Sequence, residues 1–206
     1  MSIRSILINH NSLENDIEQI IKYGLEIIDR NSKKAKVFTT YEKRIIIEGL
    51  LLRACARWES FLEIEVVSLV NMDKSKLLDE LDLPTNSVVN QRVIKAILFS
   101  TSYKDFHDLE RSKGFYRRFI ADNYNLFDKI SKEQINKSRM VYKLRNYLSH
   151  YSEFAKKKLE QEYKQTYGYS VFMTPGRFLV SKSGEHFETL VHNFSLISST
   201  MKGSLS

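Results

Sequence analysis

Turn-forming residues are scarce along this chain, and their scarcity restricts the fold more than any other feature of the sequence. Only 7 Gly and 2 Pro occur among 206 residues. A strand-rich fold needs many tight turns, so the sequence predicts long helices instead. Hydrophobic residues make up 42% of the chain, which is enough to build a core at this length. We therefore predict an all-α fold in which residues 1–206 form a single domain.

Apolar residues recur at helical spacing in several segments of the chain. The strongest pattern covers residues 40–70, with Thr39 or Thr40 as the candidate N-terminal cap and Trp58 as a candidate core residue. Apolar residues surround this segment on more than one face, so we expect it to be the central and most buried helix. Further helices are predicted from a cap at Asn11 or Ser12 to Ile28, over 77–81, 88–98 and 152–166, and after Ser131 and Gly184.

Residues 168–183 differ in character from the rest of the chain. Tyr169 to Thr174 and Arg177 to Val180 are short runs rich in aromatic and β-branched residues, and the dipeptide Pro175-Gly176 separates them. Two such runs around a turn dipeptide are typical of a β-hairpin. The sequence therefore predicts a small β-hairpin insertion near residues 169–182.

Charge, cysteine content and hydropathy narrow the functional classes. The single cysteine, Cys55, excludes an internal disulfide and makes a thiolate zinc site improbable, so no metal or cofactor is expected. The longest apolar region, 45–70, carries six charged residues, and the apolar run after Arg4 is short for a secretory signal. We expect a cytoplasmic protein with no membrane segment. The net charge of +7 fits either phosphate contacts or ordinary solubility.

Aromatic and basic residues alternate between residues 103 and 127. Such interleaving can bind single-stranded nucleic acid, because rings stack on bases and cations contact phosphates. The same pattern also arises when rings pack in a core beneath a solvated basic face. The sequence leaves both interpretations open for the residues concerned, which are Tyr103, Phe106, Arg111, Lys113, Phe115, Tyr116, Arg117, Arg118, Phe119, Tyr124 and Phe127.

The sharpest chemical feature is the run Arg145-Asn146-Tyr147-Leu148-Ser149-His150. On a helix, Asn146 and His150 lie on one face and Arg145 flanks it. Histidine can act as a base or an acid near neutral pH, and arginine matches the geometry of phosphate. Asparagine can hold a ring or a phosphate oxygen by hydrogen bonds. These groups suit RNA cleavage, in which the 2′-hydroxyl attacks the adjacent phosphate.

One copy of the chain offers a single histidine in this cluster, whereas the reaction uses both a base and an acid. A two-fold homodimer that brings the helix against itself would supply two histidines and two arginines to one cleft. The spacing of Arg and His alone is weak support for function, because it arises by chance in many helical proteins.

The run from Lys143 to Ser152 resembles the signature of HEPN domains, in which an Arg and a polar residue precede a His by a few variable positions. The segment 52–62, with its Trp58-Glu59 pair, is similar to the early helix of that family. The closest likeness is to HEPN proteins of the RiboL-PSP-associated and RNase-toxin type. The resemblance covers roughly residues 40–200, but only about twenty positions carry information.

The resemblance implies an antiparallel helical bundle, dimerisation through the motif helix and metal-independent endoribonuclease activity. It also implies roles in toxin–antitoxin pairs and antiphage or stress defence, with RNA as substrate and an antitoxin or operon partner. Arg145 and His150 correspond to the catalytic pair and Asn146 to the polar position. Glu59 corresponds to a supporting acidic position, although a salt bridge within its own helix is an equal alternative.

Two rival interpretations remain at this level. The first is a non-catalytic HEPN module that binds RNA, a nucleotide or a partner protein. The second is an unrelated helical scaffold that carries the motif by chance. Other candidate sites are weaker: His107 and Glu110 share a helical face without a third ligand, and His186 and His192 point to different sides of the last helix. The chain contains no phosphate-binding glycine-rich loop and no Gly-x-Ser-x-Gly motif.

Overall fold

The computed structural model describes residues 3–99 and 109–205, and within these ranges it is helical throughout, with no strand. The helices, in chain order, are α1 (Ile3–Ile28), α2 (Thr40–Met72), α3 (Ser75–Glu80), α4 (Gln91–Phe99), α5 (Leu109–Tyr116), α6 (Lys132–His150), α7 (Glu153–Tyr167), α8 (Pro175–Val180) and α9 (Glu185–Lys202). The prediction of an all-helical chain is therefore confirmed for these residues. None of the helices in the described ranges is both long and apolar enough to cross a membrane.

Two capping boxes fix where α2 and α6 begin. The Thr39 hydroxyl accepts a hydrogen bond from the Glu42 N–H at 3.2 Å, and the Thr39 N–H donates to the Glu42 carboxylate at 2.7 Å. Ser131 and Gln134 make the same reciprocal pair at the start of α6. Each box satisfies N–H groups that the helix leaves unpaired, and the capping side chain is worth about 1 kcal/mol. The predicted starts near residues 40 and 131 are confirmed.

Contacts between side chains give the direction of each long helix. Along α1 the partners on α2 run backwards, from Glu65 at His10 to Arg57 at Asp16, so these two helices are antiparallel. The same comparison of contact positions shows that α9 is antiparallel to α1, and that α6 is antiparallel to both α2 and α9. The architecture is a helical bundle in which α1 and α6 run opposite to α2 and α9.

The bundle closes on one hydrophobic cluster to which every helix contributes. Trp58 of α2 lies at its centre and is fully buried. Its ring stacks on Phe61 of the same helix at 5.4 Å and on Phe194 of α9 at 5.0 Å between ring centroids. The prediction that residues 40–70 form the central, buried helix is confirmed, because α2 contacts α1, α4, α6, α8 and α9.

The predicted β-hairpin near residues 169–182 is wrong. Pro175 is instead the first residue of α8, where its missing N–H costs nothing and its fixed φ suits a helix. Phe178 and Leu179, which are adjacent in sequence, are both buried, so this segment lacks the alternation of a strand. A 3₁₀ turn over Lys182–Gly184 then joins α8 to α9. Packing of α8 against α2 decides the conformation here.

Two predicted helix starts also differ from the structure. Helix α1 begins at Ile3, well before the expected cap at Asn11 or Ser12, because Ile6 and His10 extend its buried face by two turns. The helix predicted from Val88 begins at Gln91, where the Asn90 side chain accepts a hydrogen bond from the Val93 N–H at 3.0 Å. In both places a polar residue indicated the start of the helix only approximately, since several neighbouring residues could serve as its N-terminal cap.

Close packing of α1 on α9 yields a stability prediction at Gly24. A Cβ atom on this residue would lie 2.8 Å from Phe187 Cζ and nearer still to Cε1. Gly24→Ala is therefore expected to lower the free energy of unfolding by about 1–3 kcal/mol, through overpacking in a buried contact. Urea unfolding followed by the fluorescence of Trp58, the only tryptophan, measures the change.

Gly114 of α5 provides the control for this substitution, since a Cβ there meets no atom within 4 Å. Gly114→Ala should raise stability by about 0.5–1 kcal/mol through helix propensity alone. Equal effects at the two glycines would contradict the proposed steric origin.

Candidate functional site

The motif residues occupy the last two turns of α6, where that helix lies antiparallel to α2. Leu144 and Leu148 are buried and fasten this end of α6 to the core. Arg145 and Asn146, which follow Leu144 in the chain, are half-buried. Ser149 and His150, which follow Leu148, are exposed. The hydrophobic spacing thus fixes the helix while leaving the polar residues of the motif at the surface.

Arg145 and Glu59 are brought together by the packing of α6 on α2. The Arg145 guanidinium lies 3.7 Å from a Glu59 carboxylate oxygen, and their side chains are 21% and 27% exposed. Such a pair at the surface contributes at most about 1 kcal/mol of stability. Its main consequence is orientation, because the guanidinium is held at the junction of the two helices. Glu59 therefore pairs with a residue of α6.

His150 is the last residue of α6, and its exposed imidazole makes no hydrogen bond or ion pair with the part of the chain that the structure describes. Residues five apart on an α-helix lie about 140° apart around its axis and about 7.5 Å apart along it. Arg145 turns to α2, whereas His150 faces solvent. One chain therefore places both side chains at the same end of α6 without bringing them into contact. Asn146 lies nearer to the face of His150, about 40° away.

Tyr151, directly after His150, ends α6 in a left-handed conformation with φ 46° and ψ 28°. Glycine is favoured at this position, and any other residue costs about 1–2 kcal/mol. The Tyr151 N–H donates to the Tyr147 carbonyl at 2.8 Å, which closes the helix end. Tyr151 as a whole residue is 67% exposed, so burial of its side chain compensates little of that cost.

A second carboxylate lies close to this helix end. Glu48 of α2 accepts a hydrogen bond from the Gly176 N–H of α8 at 2.6 Å. Partial burial raises the pKa of Glu48, and the bond from Gly176 opposes that shift. Desolvation likewise raises the pKa of the Tyr151 hydroxyl, and the negative charge of Glu48 and the nearby Tyr147 add to the effect. Tyr151 is therefore a neutral ring at physiological pH.

Sequence reasoning singled out Arg145, Asn146, His150 and Glu59 as candidates but not Tyr151. A signal existed, since a large aromatic residue occupies the position after the helix where glycine would be expected. Tyr147 and Tyr151 are also four residues apart, the spacing that stacks side chains along a helix. The neighbouring Glu48 had no such signal, because its contact with Gly176 joins residues far apart in sequence.

The aromatic and basic segment of residues 103–127 is only partly described. Tyr103, Phe106 and His107 lie outside the described residues, and so does the proposed pairing of His107 with Glu110. Further along, Tyr116, Phe119 and Phe127 are buried, and Arg117 and Arg118 form ion pairs with Asp128 and Glu80. These residues follow the core-packing interpretation. Within the described ranges, no group of three or more His, Cys, Asp or Glu side chains is arranged to hold a metal ion.

Comparisons with protein-family models, with curated proteins and with solved structures gave no match for this chain. A function for this site therefore rests on its own geometry and on the resemblance of the motif.

Proposed function

We propose that this chain is a HEPN-type endoribonuclease that cleaves RNA without a metal ion. The observation that supports it most directly is the arrangement at the end of α6. An exposed, unpaired imidazole, His150, lies at the same end of α6 as Arg145, whose guanidinium forms an ion pair with Glu59. A helix packed into the core presents both groups at the protein surface. This is the combination of a proton-transfer group and a fixed cation that phosphoester cleavage needs.

The reaction assigns a role to each residue. A base removes the proton of a 2′-hydroxyl, whose oxygen attacks the adjacent phosphorus. The bond from phosphorus to the 5′-oxygen breaks, and an acid protonates that oxygen. His150 supplies base or acid, and Arg145 stabilises the negative charge that builds up on the phosphoryl oxygens. Asn146 orients the imidazole or the phosphate, and Glu59 orients Arg145. The products are a 2′,3′-cyclic phosphate and a 5′-hydroxyl end.

A second copy of the chain completes this scheme. Each chain contributes one histidine at the site, and the Arg145 and His150 positions diverge around α6. A homodimer with α6 near its two-fold axis would bring one chain's imidazole towards the other chain's guanidinium and would provide both acid and base. The setting that the motif resemblance implies is a toxin of bacterial stress or antiphage defence, held in check by an antitoxin or operon partner.

The deciding experiment incubates the purified wild-type chain with RNA in EDTA. We expect cleavage that leaves cyclic phosphate ends, detected by mass spectrometry. The same oligonucleotide with 2′-O-methyl groups should remain intact, because it lacks the attacking hydroxyl. Cleavage of the methylated strand would contradict the mechanism. Tight binding of RNA, a nucleotide or a partner protein without any cleavage would favour the non-catalytic module.

A further inference from the structure

Three aromatic rings form a row that starts at Tyr151, the residue after His150, and runs into the protein. The Tyr151 ring lies 5.3 Å from the Tyr147 ring, which lies 5.5 Å from the ring of Phe172. The Lys156 ammonium lies 5.5 Å from the centre of the Phe172 ring. Exposure falls along the row, because Tyr151 is exposed while Tyr147 and Phe172 are half-buried. The outermost ring is therefore supported from within and open to solvent.

Beyond Phe172 the surface continues as a cleft whose lining includes two lysines and one carboxylate, that of Glu160. Residues 169–172 and α7 enclose about 340 Å³ there, and Lys157 and Lys164 are among the lining residues. Both lysine side chains are exposed. Rings followed by cations suit an unpaired nucleic-acid strand, in which bases stack on aromatic side chains and phosphates contact ammonium groups. A duplex keeps its bases stacked on one another and offers no free face to such a ring.

We infer that Tyr151 is a stacking platform for an unpaired base next to the scissile phosphate, so that the substrate is single-stranded RNA or an RNA loop. The inference rests on the proposed function, which places the phosphate at the neighbouring His150. Tyr151 directly follows His150 in the chain, and its left-handed backbone turns the chain sharply after α6. Because the ring is mostly exposed, packing in this chain does not account for a tyrosine at a position that favours glycine.

The test measures the dissociation constant of an unstructured single-stranded RNA and of a matched duplex, both protected from cleavage by 2′-O-methyl groups. Tyr151→Phe keeps the ring, whereas Tyr151→Leu keeps an apolar side chain without an aromatic face. We expect Tyr151→Phe to bind the single strand as the wild type does, and Tyr151→Leu to bind it about 5- to 100-fold more weakly. Duplex binding should be unchanged in both. Tyr23→Leu, at an exposed ring of α1, is the control.

Tyr151→Gly separates a binding role from a structural one. Glycine relieves the left-handed backbone, so the melting temperature should stay the same or rise by about 2–4 °C while single-strand binding falls. Unchanged single-strand affinity in Tyr151→Leu, or equal losses in Tyr151→Phe and Tyr151→Leu, would overturn the inference. So would an equal loss of duplex binding.

The two proposals fail in different ways. If the wild type cleaves RNA and Tyr151→Leu leaves KM unchanged, the platform is wrong and the nuclease stands. If no RNA is cleaved but single-strand binding depends on the Tyr151 ring, the platform stands without the nuclease.

Discussion

Replacing His150 with alanine is expected to lower kcat for RNA cleavage by about 10²- to 10⁴-fold, the range that a positioned acid or base contributes. The substitution should leave folding unchanged, because the exposed imidazole makes no contact within the described residues that stabilises the bundle. KM should change little, since proton transfer matters most in the transition state. Steady-state cleavage of a fluorescent oligonucleotide in EDTA measures both constants.

His192 is the matched control for this experiment, as an exposed histidine on α9. His192→Ala should cleave at the wild-type rate. Full activity in His150→Ala would remove the imidazole from the mechanism and with it the proposed function. Equal losses in both variants would mean that the effect is not specific to the site.

Arg145→Ala should slow cleavage by about 10²- to 10³-fold, the effect of removing one group that stabilises the transition-state charge. Arg145→Lys should recover only part of the activity, because an ammonium retains the charge but not the planar fork.

Mixing the Arg145→Ala and His150→Ala proteins tests the dimer. If one site uses residues of both chains, mixed dimers should cleave RNA at a rate that differs from the rates of the two separate variants. A fully active monomer would contradict the shared site.

Breaking the buried pair of His10 and Glu65 is expected to cost the fold about 3–5 kcal/mol. The His10 Nε2 atom lies 3.1 Å from a Glu65 carboxylate oxygen, and both side chains are fully buried. The other ring nitrogen lies 2.8 Å from the Ser198 hydroxyl, which itself donates to Glu14. Glu65→Ala would leave the His10 imidazole of α1 buried in the core without its partner on α2. Urea unfolding should show a large drop in the midpoint with an unchanged slope.

Asp16→Ala is the control for this prediction, because it breaks an ion pair between the same two helices at the surface. Asp16 lies 2.6 Å from Arg57 Nε, and its side chain is 46% exposed. Its loss should cost less than about 1 kcal/mol. Replacing both His10 and Glu65 with leucine should recover most of the lost stability, because the imidazole is then no longer buried without its carboxylate partner. Equal midpoints for Glu65→Ala and Asp16→Ala would contradict the prediction.

Much of the helical framework could be predicted because local chemistry specifies it. Thr39 and Ser131 each cap a helix with a partner three residues later, so the contacts that define these boundaries lie within one turn. The apolar periodicity around Trp58 likewise identified the central helix before any packing was known. The hairpin failed because aromatic runs and Pro-Gly are compatible with two conformations. The contact between Gly176 and Glu48, which are 128 residues apart, selects the helical conformation.

In the candidate site, too, some features could be predicted from local sequence and others required the tertiary structure. Residue types, their spacing on one helix and the resemblance of the motif to a known signature together singled out Arg145, Asn146 and His150 as candidates, because a helix converts sequence spacing directly into angle and distance. The partner of Arg145, the exposure of His150 and the row of rings from Tyr151 to Phe172 depend on how α2, α6 and α7 pack. Apart from the packing of Tyr151 on Tyr147, those contacts join residues distant along the chain, and local propensities do not indicate which distant side chains will meet. The motif could therefore be recognised from the chain alone, whereas its surroundings required the folded molecule.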